Sequence, residues 1–328
     1  MDWEIYGHEW AADLLKRHIT YEQVRHAYLF TGPEGIGRRT LALRFARALN
    51  CPQPIAPGQA CGICPTCRQI DRQQHPDLTI VQAENDGGVL KVEQIRDLQH
   101  KLALAPYAAR YRIALLLRFQ EANANAQNAL LKTLEEAPEK VVLLLTADSA
   151  ETLLPTIVSR CEILRLRPLA LDKLNQALQE RWHLSAEKAS MLAHLSGGRM
   201  GYALFLNDHP ELLSRRQEWT AEIPYLLHAR RRERFAYAES AAKDKDALRQ
   251  LFQVWLSYWR DLLLVSSGAH TPLIHLNETS QLQELAGEID PQTARICTTR
   301  LEQALQQLDA NINARLVTEI VLLDWPRL

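Results

Sequence analysis

The hydrophobic and polar positions follow different patterns in the two halves of the chain. Up to about residue 168, short continuous apolar runs alternate with stretches of helical periodicity, which is typical of α/β folds. Because these runs are apolar at nearly every position, we expect a mainly parallel sheet whose strands are covered by helices on both faces. The predicted strands are Ala27–Thr31, Leu78–Gln82, Arg112–Leu117, Val141–Ala147 and Glu162–Arg167.

The second half of the chain is predicted to be helical throughout. After Pro168, apolar residues recur at a spacing near 3.6, and the turn residues of Asn207–Glu211 indicate a linker. We therefore predict an α/β domain over residues 1–168, a small helical domain over residues 169–208 and a larger helical bundle over residues 209–328. Two predicted core stripes of the bundle are Leu248, Phe252, Trp255, Trp259 and Leu262, and Leu301, Leu305, Leu308 and Ile312.

Composition and charge exclude some classes of protein. The 328 residues are 47% hydrophobic and 23% charged, and the net charge of −1 gives no overall attraction to nucleic acid. The local basic run Ala229–Arg234 is most simply explained as a solvated helix face. The first residues lack the features of a signal peptide, and the apolar segment Leu248–Val265 contains Arg249, Arg260 and Asp261, which favours a buried helix over a membrane span. We expect a cytoplasmic protein.

A glycine-rich segment, TGPEGIGRRT at Thr31–Thr40, follows the first predicted strand and precedes a predicted helix. Its glycines fit the spacing of the phosphate loop GxxxxGK[ST], in which backbone N–H groups at the start of a helix bind phosphate. The segment therefore predicts the scaffold of a nucleotide site. Its candidate nucleotide-binding residues are Gly32, Gly35, Gly37, Arg38, Arg39 and Thr40.

Two departures from the phosphate-loop pattern predict that this site does not hydrolyse ATP. Arg38 occupies the lysine position, and Arg39 occupies the hydroxyl position, where it offers no oxygen to Mg²⁺. Shifting the register to use Thr40 would place other residues at both glycine positions. Further along, an apolar strand should end in the acidic residues that hold Mg²⁺, but Arg112–Leu117 is followed by a first carboxylate only at Glu121. Residual nucleotide binding stays open.

Four cysteines lie close together in the pattern C-x9-C-x2-C-x2-C. Four thiolates suit a tetrahedral, structural zinc ion with no open position for water. In a reducing compartment zinc is favoured over disulfides, and a metal could order the proline-rich segment between the first two cysteines. Free thiols and an iron–sulfur cluster remain alternatives on spacing alone. The predicted metal ligands are Cys51, Cys61, Cys64 and Cys67.

Long strings elsewhere in the chain resemble a known family. They are NALLKTLEEAP at Asn128–Pro138, the strand VVLLLTA at Val141–Ala147, LLPTIVSRCEILRLRPL at Leu153–Leu169, SGGRMGYAL, and the near-terminal NINARLVTEIVLLD. Together with the cysteine insertion they resemble the AAA+ subunits of the bacterial DNA polymerase III clamp loader over essentially the whole chain. The degraded phosphate loop resembles the subunit of that assembly that does not hydrolyse ATP.

The resemblance implies a domain plan and a set of partners. Residues 1–168 would be an AAA+ α/β domain with a parallel sheet and a zinc module at residues 51–67. Residues 169–208 would be a small helical lid domain, and residues 209–328 an all-α, collar-type oligomerisation domain. The implied partners are the gamma/tau and delta subunits, with the sliding clamp and primed DNA reached through the complex. The chain would be a component of the DNA polymerase holoenzyme and would act as a stator in replication.

The resemblance also implies roles for individual residues. Ser159, Arg160 and Cys161 match an SRC motif whose arginine reaches the ATP site of the adjacent subunit, so Arg160 would be an arginine finger given in trans. The simpler alternative is a surface arginine at a helix end. Thr146 matches a sensor position, and Arg199 lies near a lid-domain sensor, although we expect Arg199 to be structural.

Two other functions stay open at this point. The first is an active, ATP-hydrolysing subunit of the gamma/tau type, which would need an unrecognised replacement for the missing groups. The second is a zinc-containing adaptor that uses the AAA+ shape only to bind other proteins.

Overall fold

The computed structural model describes residues 3–84 and 88–328, which fold into two compact units. The sheet unit contains Met1–Leu169 together with the short segment Arg199–Tyr202. The helical unit contains Ala170–Gly198 and Ala203–Leu328. Within the described residues, no helix is both long enough and apolar enough to cross a lipid bilayer.

The sheet unit is built on five parallel strands in the order β2-β3-β4-β1-β5. All five strands predicted from the apolar runs are present, and three of them end one or two residues earlier than expected. The parallel pairing confirms the predicted α/β class, because consecutive parallel strands need crossover connections. The strands are β1 Ala27–Thr31, β2 Leu78–Val81, β3 Arg112–Leu116, β4 Val141–Ala147 and β5 Glu162–Arg165.

Both faces of this sheet are covered, which explains the continuous apolar runs. Successive residues along β1 point to opposite faces, so Tyr28 and Phe30 join one buried cluster while Leu29 joins the other. The first cluster includes residues of α1 and α2, and the second includes residues of α4 and α5. The helices are α1 Glu9–Thr20, α2 Arg38–Asn50, α3 Pro65–Asp71, α4 Val92–Leu102, α5 Ala124–Glu135 and α6 Pro155–Val158, with 3₁₀ turns at Phe119–Glu121 and Ala150–Thr152.

Beyond Leu169 the described residues form helices and connecting loops without a strand, as predicted. The core of the helical unit is centred on Trp255, Trp259 and Trp325, and the Trp325 ring contacts the rings of the other two. The helices are α7 Leu171–Trp182, α8 Ala186–Ser196, α9 Met200–Asp208, α10 Pro210–His228, α11 Arg231–Ala241, α12 Lys245–Ser266, α13 Thr279–Glu288, α14 Pro291–Asp309 and α15 Ala314–Asp324, with a 3₁₀ turn at Leu276–Glu278.

The structure confirms all of one predicted core stripe and part of the other. All the predicted residues on α12 are buried, so that stripe is confirmed. On α14, Leu301 and Leu308 are buried, but the helix ends at Asp309 and Ile312 lies beyond it with 44% of its surface exposed. The prediction was wrong for Ile312 because the chain turns at Asn311, whose φ is 58°.

The basic run at residues 229–234 was predicted to be a solvated face, and this is wrong for Arg234. Its side chain is buried and its guanidinium donates to backbone carbonyls at the C-terminal ends of α10 and α15. The C-terminal carbonyls of a helix lack intrahelical partners and carry partial negative charge, so a buried arginine can satisfy several of them at once. The acceptors are the carbonyl oxygens of Leu226, Leu227, Leu322, Trp325 and Pro326.

Candidate functional site

The phosphate loop connects β1 to α2 and keeps the backbone of an anion-binding turn. Gly32 has φ 144° and donates its N–H to the carbonyl oxygens of Ala147 at 3.3 Å and Asp148 at 3.1 Å. A Cβ at Gly32 would lie 2.6 Å from the carbonyl oxygen of Leu166, so this close approach requires glycine. Gly37, with φ 110°, is the N-cap of α2, and a Cβ there would meet no atom within 4 Å. These two glycines thus set the backbone path of the loop into the start of α2.

Arg38, at the lysine position of the loop, is paired with a carboxylate of its own chain. Its Nη1 lies 2.7 Å from Oδ1 of Asp148, and the Arg38 side chain is only 8% exposed. Asp148 directly follows β4, which is the neighbour of β1 in the sheet. The guanidinium at this position of the loop is thus held in an ion pair within the chain.

The next two residues of the loop, Arg39 and Thr40, lie on the first turn of α2. Arg39 donates through Nη2 to Oε1 of Gln73, which lies shortly after α3. Both Arg39 and Thr40 are exposed on the first turn of α2. A guanidinium has N–H donors and no acceptor, so the Arg39 side chain itself cannot coordinate a metal ion.

The segment Arg199–Tyr202 belongs to the sheet unit and packs against the phosphate loop. The N–H of Tyr202 donates to the carbonyl oxygen of Gly35 at 3.2 Å, and Arg199 Nη1 donates to that of Glu34 at 3.3 Å. A Cβ at Gly201 would lie 2.8 Å from the Gly35 oxygen. The Arg199 guanidinium also lies 4.5 Å from the centre of the Tyr202 ring. Here Arg199 contacts the backbone of the loop.

At the carboxyl end of β3, Arg118 contacts Thr146 of the neighbouring strand β4 and Glu121. Arg118, in the left-handed region with φ 47°, donates its N–H to Oγ1 of Thr146 at 2.9 Å. Its Nε lies 3.0 Å from Oε1 of Glu121, the first carboxylate after the strand. The hydroxyl of Thr146, predicted as sensor-like, thus supports the backbone at the end of β3. Among residues 3–84 and 88–328, the four clustered cysteines are the one group of three or more candidate metal ligands.

Arg160 lies at a corner formed by α5 and α6. Its Nη1 donates to the carbonyl oxygen of Thr156 at 2.9 Å, and its Nη2 lies 2.8 Å from Oε1 of Glu135, the last residue of α5. The side chain is 35% exposed. Ser159, the C-cap of α6, donates its hydroxyl to the same Thr156 oxygen at 3.1 Å. Cys161 packs against the core cluster beneath, and burial raises the pKa of its thiol to about 12.

The four clustered cysteines converge as the spacing predicted. Their Sγ atoms all lie within 4.8 Å of one another. The Cys51–Cys61 and Cys61–Cys67 Sγ distances are 3.6 and 4.0 Å. A tetrahedral site with Zn–S bonds of about 2.3 Å places its sulfurs about 3.8 Å apart, so the cluster fits such an ion. Backbone N–H groups of Cys61, Cys64 and Cys67 also donate to neighbouring sulfurs.

The protein environment affects the clustered thiols unequally. The backbone N–H groups of Cys64 and Ile63 lower the pKa of Cys61 to about 6. Burial raises the pKa of Cys64 and of Cys67 above the ordinary value for a thiol. A bound metal ion removes this difference, because a coordinating thiol is deprotonated outright. The donor set is therefore one that could bind a metal.

The fold and the loop together define the class of this protein. A five-stranded parallel sheet in the order β2-β3-β4-β1-β5 carries its phosphate loop between β1 and α2. Helical segments follow the sheet. This is a P-loop NTPase-like fold of the AAA+ type, as the sequence predicted.

Comparison with known proteins assigns the family. The chain belongs to the family described as DNA polymerase III, delta subunit, whose sequence profile matches residues 7–170. It is 27% identical to DNA polymerase III subunit delta' of Bacillus subtilis (strain 168) over 314 residues, 94% of this chain and 93% of that protein. It is 39% identical to subunit delta' of Pseudomonas aeruginosa over 181 residues, 54% of each chain. The predicted resemblance to a delta-prime subunit of the clamp loader is confirmed.

Other similar proteins match part of the chain or match it loosely. DNA polymerase III subunit tau of Escherichia coli (strain K12) is 32% identical over 210 residues, 62% of this chain and 32% of tau. Among solved structures, a DNA polymerase III gamma subunit-related protein of Thermotoga maritima covers 95% of this chain and 97% of its own, at TM-score 0.45 and 17% identity. The RuvB Holliday junction branch migration motor of the same organism covers 95% and 83%, at TM-score 0.44 and 14% identity.

Two residues of this site were missed from the sequence, and both are carboxylates. Asp148 comes two residues after Thr146, and only the adjacency of β1 and β4 places it beside Arg38. Glu135 lies within the string that supports the family resemblance, but its pairing with Arg160 depends on how α5 packs against α6. A predicted strand order would have suggested the first contact, whereas the second has no local signal.

Proposed function

We propose that this chain is a delta-prime-type clamp-loader subunit that does not hydrolyse ATP and that gives Arg160 in trans to the ATP site of a neighbouring subunit. The observation that carries this proposal is the contrast between its two arginines. Arg38 is buried against Asp148 inside the chain's own phosphate loop, whereas Arg160 stands at a partly exposed corner. Family membership supports the assembly in which such a division of labour operates.

The chemistry expected of Arg160 is electrostatic. A guanidinium has five N–H donors, and contacts to Thr156 and Glu135 engage only part of them. The remaining donors are available to the oxygens of a phosphoryl group, whose negative charge spreads in the transition state. Fingers of this kind contribute roughly 10³–10⁵ in rate in related enzymes.

In this proposal the chain acts as a stator within the cytoplasmic DNA polymerase III holoenzyme. Gamma/tau and delta subunits are its direct partners, and the ATP-driven neighbours open the sliding clamp and place it on primed DNA. Residues 169–208 serve as the lid domain and residues 209–328 as the oligomerisation domain. Both of these domain roles are inferred from the family.

The central experiment compares loaders reconstituted with wild-type chain or with Arg160→Ala. We expect assembly to be intact and single-turnover ATP hydrolysis at the interface served by Arg160 to fall about a thousandfold or more. The isolated wild-type chain should show no turnover of Mg-ATP. Unchanged hydrolysis by the Arg160→Ala loader would favour an adaptor role, and turnover by the isolated chain would favour an active ATPase.

A separate experiment tests whether Asp148 prevents ATP from binding to the phosphate loop. Replacing Asp148 with Asn keeps the side-chain size and removes the charge that neutralises Arg38. We expect Asp148→Asn to bind ATP at least about tenfold more tightly than wild type, since one such ion pair with a buried partner is comparable to 1.4 kcal/mol. Equilibrium dialysis with labelled ATP measures this, and equal affinities would show that Asp148 does not block the loop.

We propose that the cysteine cluster holds one structural zinc ion through Cys51, Cys61, Cys64 and Cys67. The convergent sulfurs and their N–H donors support this assignment. Purified chain should contain zinc at one ion per chain, and the double variant Cys64→Ser/Cys67→Ser should contain none. A chelator should lower the melting temperature of wild type and leave the double variant unaffected. Iron and visible absorbance in the purified protein would indicate a cluster instead.

The oligomerisation role is supported by an apolar face on α15. Leu316, Ile320 and Leu323 follow helical spacing and are 52%, 44% and 43% exposed. An exposed apolar stripe of this kind is typical of an interface with another subunit. We expect Leu316→Asp/Ile320→Asp to prevent co-elution with the partner subunits, while Gln306→Asp, an exposed change on α14, should not. Normal assembly of the double variant would place the interface elsewhere.

A further inference from the structure

We infer that Glu135 is the positioning residue for the Arg160 finger, holding its guanidinium in the orientation that reaches the neighbouring ATP site. This inference rests on the proposed function and adds to it a residue outside the SRC motif. Glu135 does not touch the nucleotide in this scheme. It acts through Arg160 alone.

The base of the Arg160 side chain is fixed by the residues around it. Cys161 packs against the core cluster, and Ser159 caps α6 with its hydroxyl bonded to the Thr156 carbonyl. In addition, the side-chain oxygen of Gln127 accepts the N–H of Leu154, just before α6, at 3.0 Å. These contacts tie the short helix α6 to α5. They fix the backbone around Arg160 but do not fix the position of its guanidinium.

Three contacts set the position of the guanidinium itself. Nη1 donates to the Thr156 carbonyl at 2.9 Å and, more weakly, to the Ser159 hydroxyl at 3.5 Å, and Nη2 is held by Oε1 of Glu135 at 2.8 Å. A free arginine side chain has many rotamers, so restricting it before reaction lowers the entropic cost at the transition state. Thr156 and Ser159 meet the planar group at Nη1, whereas Glu135, from a different helix, is the one residue of the three that meets it at Nη2. Glu135 is therefore the side chain that orients the plane of the finger.

The exposure of the pair suits a positioning role better than a stabilising one. The Arg160 and Glu135 side chains are 35% and 50% exposed, and surface ion pairs contribute little to folding. Because both side chains are partly exposed, solvent weakens the attraction between the carboxylate and the guanidinium. Removing Glu135 should therefore leave the fold intact and disturb only the orientation of Arg160.

The chain offers a matched control at the next position. Glu136 is an exposed carboxylate that directly follows Glu135, at the C-cap of α5. Changing either residue to Ala removes one negative charge from the same end of the helix. Only the change at Glu135 removes the contact with Nη2 of Arg160.

The experiment uses loaders reconstituted with the partner subunits and carrying Glu135→Ala, Glu135→Gln, Glu136→Ala, Arg160→Ala or the double variant Arg160→Ala/Glu135→Ala. We expect Glu135→Ala to lower kcat at the served interface about tenfold with little change in KM, since misorientation affects the transition state. Glu135→Gln, which keeps the acceptor oxygen, should recover to within about threefold of wild type. Glu136→Ala should match wild type, and the double variant should be no slower than Arg160→Ala alone.

The possible outcomes separate the inference from the proposed function. If Arg160→Ala leaves hydrolysis unchanged, the finger itself is absent and both fail. If Arg160→Ala slows hydrolysis but Glu135→Ala behaves like Glu136→Ala, only the positioning role is overturned. An additive double variant, or faster hydrolysis by Glu135→Ala, would likewise overturn it. Urea unfolding of each isolated variant, with stabilities equal within error, assigns the kinetic losses to orientation.

Discussion

The phosphate loop and the corner around Arg160 each hold an arginine against a carboxylate from a different element, and the distances are nearly equal at 2.7 and 2.8 Å. The two regions differ in exposure. The Arg38 side chain is 8% exposed, whereas that of Arg160 is 35% exposed. The two ion pairs are therefore alike in their contact distance and differ in how far the arginine is exposed to solvent. One arginine is buried against its carboxylate, and the other is partly exposed to solvent.

A third pair extends this comparison to full burial. Asp77 is completely buried, accepts the N–H groups of Tyr107, Ala108 and Ala109, and pairs with Arg112 at 3.2 Å. Because a charge out of water depends on its partner for solvation, the cost of breaking a pair rises with burial. The Asp77 carboxylate is fully buried, whereas Asp148 and Glu135 are 53% and 50% exposed, so we expect the pair of Asp77 and Arg112 to be the most costly of the three to break.

The largest expected effect is on the pair whose carboxylate, Asp77, is fully buried. Asp77→Asn leaves the Arg112 guanidinium without its counter-charge and removes an acceptor from the loop at residues 107–109. We expect the free energy of unfolding to fall by about 3–5 kcal/mol, measured by urea denaturation of the isolated chain. Asp13→Asn is the control, because Asp13 pairs with Lys16 at the surface and is 68% exposed. Equal losses in the two variants would contradict this expectation.

The same carboxylate predicts how stability depends on pH. Burial raises the pKa of Asp77, but the three N–H donors and Arg112 outweigh it, so the pKa lies below its ordinary value. A carboxyl depressed in this way stabilises the fold above its unfolded pKa of about 4, and the contribution is lost as the pH falls through the folded pKa. Wild type should therefore lose stability on acidification more steeply than Asp77→Asn. Parallel curves of unfolding free energy against pH would assign the acid sensitivity to other groups.

The half-buried pair should have an intermediate effect. Arg38→Ala removes a buried guanidinium, but the Asp148 carboxylate left behind is 53% exposed and can be hydrated. We expect a loss of about 1 kcal/mol in the free energy of unfolding. Arg39→Ala, an exposed change at the next position, should cost less than about 0.5 kcal/mol. A loss as large as that of Asp77→Asn would mean that Arg38 supports the loop in some further way.

The exposed pair should have the smallest effect on stability. Arg160→Ala is expected to change the free energy of unfolding by less than about 0.5 kcal/mol, because a surface ion pair contributes little. The same variant has the largest expected effect on hydrolysis in the assembled loader. Thermal and urea unfolding of the isolated chain measure the first quantity. A loss of stability comparable to that of Arg38→Ala would show that Arg160 is a structural residue, which was the simpler alternative for this position.

The sequence predicted the helices and strands well, but it did not predict which side chains contact each other. The β1 strand and the burial of the α12 stripe follow from local apolar patterns, and the convergence of the cysteines follows from their short spacing. Arg234 shows the opposite case. It lies in a run of arginines that looks uniformly solvated, yet it is buried because the ends of α10 and α15 bring unpaired carbonyls to it. Nothing within a short window of sequence distinguishes it from Arg232.

By itself, the amino-acid sequence determined the strands, the helical second half, the cysteine cluster and the loss of the lysine and hydroxyl from the phosphate loop. Each of these depends on residues close together in the chain. Only the tertiary structure decided which carboxylate meets Arg38, since Asp148 lies 110 positions away, and which one meets Arg160. These contacts depend on strand order and helix packing, which bring together residues that no local periodicity relates.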